Sequence, residues 1–192
     1  MNTYCINLKQ RKAKWNRVQL ECEKLNLNVT RFEAIFDTYG HGGCFKSHIE
    51  LLKQVKHEGV FMIIEDDILV LEPLEVLEKA IEQLPSDWDM LYLGAQLSKR
   101  LERYSDNLLR LSGALMTHAV IYNNQNGIAD YIIENARGII DVYLRDNVHE
   151  QFDCFITYPM VCSQADGYSD TIRWWKQSED IEKRYKKFTI YN

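Results

Sequence analysis

Three consecutive acids, Glu65, Asp66 and Asp67, stand between two of the most apolar runs of the chain in the stretch FMIIEDDILVLEPL, residues 61–74. A carboxylate placed among apolar residues is costly unless solvent, a basic partner or a metal ion compensates it, and neighbouring carboxylates add mutual repulsion. Alternate residues of an extended chain point to the same side, so Glu65 and Asp67 are expected to project together and Asp66 to point away. That acid-x-acid geometry suits a hard cation such as Mg²⁺ or Mn²⁺, which binds carboxylate oxygens and keeps open positions for substrate phosphates. The other reading is a strand that ends in a solvated acidic turn, and the triplet by itself leaves both open.

Other candidate constellations are less complete. In GCFKSHIELLK, His48 shares a helical stripe with Phe45, Ile49 and Leu52, which favours a core or supporting histidine over a direct ligand. His41, Cys44 and His48 could form a zinc set, with Cys44 and His48 one helical turn apart, but no fourth ligand is evident. The chain contains neither a G-x-x-x-x-G-K-[ST] loop nor a G-x-S-x-G elbow, which removes P-loop and serine-hydrolase readings. An aspartate-nucleophile phosphotransferase would need D-x-D after its strand. Here the first acid of that frame is Glu65, and starting at Asp66 puts Ile68 second.

The elements that must position these residues are legible from periodicity. TYCINL (3–8), VTRFEAI (29–35) and VFMII (60–64) read as strands. Between them, Trp15, Val18, Cys22 and Leu25, and then Phe45, His48, Ile49, Leu52 and Val55, trace helical faces, the second ended by Gly59. Leu74, Leu77, Ala80, Ile81 and Leu84 mark a third helix closed by Pro85. MLYLG (90–94), HAVIY (118–122) and CFITYPMV (154–161) are further β-type runs, with a helix expected over residues 125–136. This alternation predicts one α/β domain spanning residues 1–192, with a mainly parallel central sheet flanked by helices. The tail TIRWWKQSEDIEKRYKKF (171–188) breaks the pattern.

At 192 residues the chain supports one sizeable core, and a net charge of −5 excludes a general nucleic-acid binder, which needs a basic field. Five cysteines without a C-x-x-C pair read as reduced and mostly buried. The start, MNTYCINLKQRK, has no basic segment followed by an apolar one, and no run reaches the length of a membrane span, so a cytoplasmic, non-secreted protein is expected. In the tail, Trp174, Trp175 and Phe188 accompany Arg173, Lys176, Lys183, Arg184, Lys186 and Lys187. They suit either a weak peripheral membrane contact or rings packed on the sheet edge, and Glu179, Asp180 and Glu182 favour packing because they would repel anionic lipid.

INLKQRKAKW, GCFKSHIELLK, EGVFMIIEDDILVLEPL, DWDMLYLG, THAVIYN and YPMVCSQADGYSDT resemble, in that order, the blocks of glycosyltransferase family 25, which includes lipopolysaccharide-type and procollagen galactosyltransferases. The resemblance runs from about Ile6 to Asp170. It implies a glycosyltransferase A type fold, a nucleotide-sugar donor (usually UDP-galactose), a divalent metal (Mn²⁺ or Mg²⁺), inversion at the anomeric carbon, and a glycan, lipid-linked or protein acceptor. Carried onto this chain, it implies donor contacts from Asn7, Leu8, Arg11, Glu65, Asp66, Gln164 and Ser169. It also implies metal ligation by Asp67, with Glu65 and Asp170, and a catalytic base at Asp141 or, failing that, Asp153. Asp141 suits a helix cap equally well. The chain departs from the pattern in two places: no histidine follows His149, so Gln164, Asp166, Asp170 or water would replace the usual late metal ligand, and Thr171 follows Ser169-Asp170 where the family carries an apolar residue. A catalytically silent nucleotide-sugar-binding module is therefore the alternative to an active enzyme.

Overall fold

A computed structural model describes residues 1–169 and 174–176, together with Lys183 and Lys187. Asp170, Thr171, Arg173, Glu179, Asp180, Glu182, Arg184, Lys186 and Phe188, named above, lie outside the described residues. The chain opens with β1 (Asn2–Asn7), α1 (Lys12–Lys24), β2 (Val29–Glu33), α2 (Gly40–Val55) and β3 (Val60–Glu65). Asp66 and Asp67 form a turn into β4 (Ile68–Val70), and α3 (Leu74–Glu82) follows Pro73. Next come β5 (Met90–Tyr92), β6 (Gln96–Leu97), β7 (Glu102–Arg103), β8 (Leu108–Arg110), β9 (Ala114–Leu115) and β10 (Ala119–Asn123). The order closes with α4 (Ile128–Asn135), α5 (Ile140–Asn147), β11 (Cys154–Thr157), β12 (Cys162–Gln164), β13 (Gly167–Ser169) and β14 (Trp174–Lys176).

Eight strands form one sheet in the order β2-β1-β3-β10-β5-β11-β8-β7. β1 pairs in parallel with both β2 and β3, and β5 with β11, whereas β10 runs antiparallel between β3 and β5 and β8 antiparallel to β11. The sheet is therefore mixed where periodicity predicted a mainly parallel one. Parallel neighbours need a long crossover, usually a helix. The chain between β5 and β10 carries only short strands, so β10 enters from the opposite end. β4 pairs with β12 and β13 with β14 in separate two-stranded ribbons.

The pleat of β3 divides the core. Phe61 and Ile63 face the cluster built by Leu51, Leu52 and Val55 of α2 with α4 and α5. Met62 and Ile64 face the cluster built by Val18 and Cys22 of α1 with Leu77 and Ala80 of α3. Helices thus cover both faces, as buried parallel strands require. Glycine is needed at position 94, just beyond β5, where an added Cβ would lie 1.7 Å from the Cys162 carbonyl oxygen. That close approach lets the Cys162 N–H bond the Leu93 carbonyl at 2.8 Å and seats β12 against the sheet.

Candidate active site at the carboxyl end of the central strands

The chain leaves β1 towards β2 on one side and reaches β3 on the other, so the sheet's topological switch point lies between β1 and β3, the usual place for a ligand beyond the carboxyl ends of the strands. A cavity of about 360 Å³ opens there. Gln10, Arg11, Lys12, Ala13, Lys14 and Arg17, from the end of β1 into α1, line one wall, and Asp67 with Ala165, Asp166 and Gly167 line the other.

The acidic triplet divides its partners by strand alternation. Asp66, on the face of Ile64, accepts hydrogen bonds from Asn7 Nδ2 at 2.7 Å and from Lys14 Nζ at 3.0 Å, while Arg17 donates to its carbonyl at 3.0 Å. The Lys14–Asp66 pair is largely withdrawn from solvent, with side chains 21% and 14% exposed. Glu65, on the face of Ile63, points to α2: Thr117 Oγ1 donates to its Oε1 at 2.7 Å, and His48 Nε2 lies 3.5 Å from the same oxygen. Extension ends at Glu65, so the turn carries Asp67 into the cavity beside α1 instead of continuing on the side of Glu65. Sequence alternation therefore places Glu65 and Asp66 correctly on opposite faces, and the turn geometry decides the position of Asp67.

The other residues implied by resemblance fall into distinct positions. Asn7 is buried and holds the Arg11 carbonyl at 3.3 Å as well as Asp66. Leu8 acts through its carbonyl, which accepts from Arg11 N at 2.8 Å and Arg31 at 3.1 Å, forming the turn that presents Arg11 to the cavity. Gln164 is buried in β12 opposite Ile68, and the Ala165 N–H bonds the Asp67 carbonyl at 2.7 Å, which brings the late segment to the acidic turn. Ser169 ends β13, paired with Trp174.

Asp141 lies in the first turn of α5, not at its cap position, which Ile139 occupies. Its Oδ2 accepts from Met116 N at 3.1 Å and its Oδ1 from Val142 N at 2.9 Å. Met116 adopts φ 75°, a strained left-handed conformation for a residue with a side chain. That conformation turns its N–H towards Asp141 while the next residue, Thr117, reaches Glu65. Asp153, the alternative base, precedes β11 and is bonded by Arg110 at 2.6 Å. It sits at the amino end of that strand, away from the acidic turn.

Sequence reading missed Lys14, Arg17, Thr117 and Met116. The basic residues of α1 were visible as a polar stretch, but only the fold aims them at the acids. Among the described residues, Cys44, His48 and Glu65 form a set whose ligand atoms lie within 4.8 Å of one another, with Glu65 standing where the sequence reading offered His41. A hard divalent cation, implied by the family resemblance, would meet a suitable donor type in the carboxylates of Asp67 and Asp166.

Residues 37–142, more than half the chain, match the family model described as glycosyltransferase family 25 (LPS biosynthesis protein). No curated protein matches the chain. Among solved structures, a glycosyltransferase involved in the glycosylation of the major capsid of PBCV-1 superposes with TM-score 0.58 at 10% identity, over 95% of this chain and 98% of that one, a likeness of fold. A197 from STIV gives TM-score 0.48 at 8% identity over 91% and 93% of the two chains. Mouse xyloside xylosyltransferase 1 gives 0.43 at 8% identity over 77% and 69%, and neither of these last two carries weight. With the family match covering the acidic turn, the α2 motif and Asp141, the chain belongs to glycosyltransferase family 25.

Proposed function

We propose that this protein is an inverting, metal-dependent glycosyltransferase of the A type, which moves a hexose, galactose by family resemblance, from a UDP-sugar to a hydroxyl of a glycan, lipid-linked saccharide or protein. The observation that carries the reading is the cavity at the β1/β3 switch point, where Arg11, Lys12, Lys14 and Arg17 converge with Asp67 and Asp166. Cations attract the donor's diphosphate, and carboxylates are the ligands a hard cation needs beside it. Asp67 holds that cation, with Asp166 as the late ligand in place of the family's histidine; Asp170, implied by resemblance, lies outside the described residues. When bound, the cation stabilises negative charge developing on the leaving diphosphate. Asn7, Leu8 and Arg11 border the nucleoside end, with Gln164 and Ser169 contributing from the late segment.

Asp141 serves as the general base. Its carboxylate is oriented by two backbone N–H bonds and is partly exposed, and each oxygen keeps a second lone pair with which to take the acceptor hydroxyl proton. No described helix is long and apolar enough to cross a membrane. A cytoplasmic setting belongs to the same reading, with the tail packed on the protein and weak peripheral membrane contact as the alternative to test.

The absence of a histidine after His149 favours a second reading, a silent module that binds the donor without turnover. Turnover of UDP-galactose with and without Mn²⁺ decides between them. The parent is expected to release UDP only with the cation, and Asp67→Ala to lose that release while keeping the parent's melting temperature. Equal release by mutant and parent at saturating Mn²⁺ overturns the assignment of Asp67, and UDP binding without turnover in the parent establishes the module.

A further inference from the structure

We propose that Cys44, His48 and Glu65 form a second metal site, selective for Zn²⁺ and separate from the cavity that takes the donor. Cys44 and His48 are one turn apart on α2, so their side chains share a face, and the end of β3 brings Glu65 to them. One sulfur, one imidazole nitrogen and one carboxylate oxygen lie within 4.8 Å of one another. A second observation concerns His48, which is 1% exposed: its Nε2 faces the cluster, 3.5 Å from Glu65 Oε1 and from Thr117 Oγ1, and its Nδ1 has no hydrogen-bond partner, so no bond fixes the ring away from an ion between Cys44 and Glu65.

The donor chemistry selects the ion. A thiolate with an imidazole and a carboxylate is the set of a borderline-soft divalent ion, and Mg²⁺ or Mn²⁺ would be held by oxygen alone. Three protein ligands leave a tetrahedral ion one open position. Cys44 and Glu65 are partly exposed, so the ion has an entry path, and Thr117 Oγ1 already holds Glu65 in place. Binding deprotonates the Cys44 thiol, and the proton leaves to solvent as the sulfur–zinc bond forms. The ion would pin the start of α2 to the end of β3, beside the segment whose Met116 N–H orients Asp141.

The site is testable without reference to transferase activity. Cys5, Cys22, Cys154 and Cys162 are buried while Cys44 is partly exposed, so iodoacetamide applied to the native full chain, with modification read by mass spectrometry, reports chiefly on Cys44. Zn²⁺ at ten times its dissociation constant is expected to slow Cys44 alkylation about tenfold. Mn²⁺ at the same concentration should leave the rate unchanged, and protection should be lost in His48→Gln and Glu65→Gln. Glu65 is partly exposed, so its variant remains informative if the buried histidine variant fails to fold. Co²⁺ should give a thiolate-to-metal charge-transfer band that Cys44→Ser abolishes. An unchanged alkylation rate with Zn²⁺, protection that survives in Glu65→Gln, or a cobalt band that survives in Cys44→Ser would each overturn the site.

Discussion

The two sides of the β3 terminus carry opposite chemistry although one peptide bond separates their acids. On the α1 side, Asp66 meets Lys14 and Asn7, and the wall beyond is cationic. On the α2 side, Glu65 meets a threonine and a buried histidine, with a thiol close by. A strand end can therefore give consecutive carboxylates unrelated partners, because the pleat sends each to a different helix. An acidic triplet is better read one residue at a time than as a unit.

Four expected outcomes test this division. The largest concerns Asp141, on the α2 side: Asp141→Asn should lower kcat by about 100-fold or more with donor affinity nearly unchanged, since a base acts on the acceptor. Single-turnover kinetics with a separate donor-binding titration check it, and a parallel fall in both would make Asp141 a structural anchor for Met116.

Gly94→Ala is expected to destabilise the protein by about 3 kcal/mol or more, because the new Cβ cannot coexist with the Cys162 carbonyl. If the variant still folds, displacement of β12 should harm the α1 side first, since the residues after β12 bond Asp67. Denaturant unfolding with a UDP titration separates the two effects. A variant that loses Zn²⁺ protection of Cys44 before it loses UDP binding would contradict the division.

Asp66→Ala leaves a half-buried lysine and the buried Asn7 amide without their shared acceptor, at an expected cost of about 2 kcal/mol of stability. A double-mutant cycle with Lys14→Met should recover part of that cost, because the uncompensated charge is removed. Full additivity would show that the pair does not interact.

The smallest effect is a pH dependence confined to the α2 side. Burial, with Arg145 adding to it, pushes His149 down from 6.5 to about 3, and the neutral ring bonds the Tyr92 hydroxyl at 2.9 Å. The unfolded chain takes up that proton first, so this contribution to stability is complete above pH 6.5 and declines as pH falls from 6.5 towards 3. Between pH 6.5 and about 5.5 the loss should be about 1 kcal/mol. Urea unfolding of parent and His149→Gln across that window isolates it, and identical slopes for the two would remove His149 from the account.

Periodicity and composition alone determined the succession of strands and helices as far as β3, and α3 beyond it, but missed the short β4 between them. They determined the separation of Glu65 from Asp66, because burial imposes local repeats of 2 and 3.6 residues that survive without knowledge of neighbours, and left open whether the third strand's end carries chemistry. Asp141 entered only through the family resemblance, and its bond to Met116 only through the fold. Only the tertiary structure decided that β10 inserts antiparallel between β3 and β5, since strand pairing joins residues far apart in sequence. It alone carried Asp67 to the wall opposite Arg11 and Lys14 and replaced His41 by Glu65 beside Cys44 and His48, because a turn's direction and the approach of a helix to a strand end follow from packing of the whole core rather than from any local pattern.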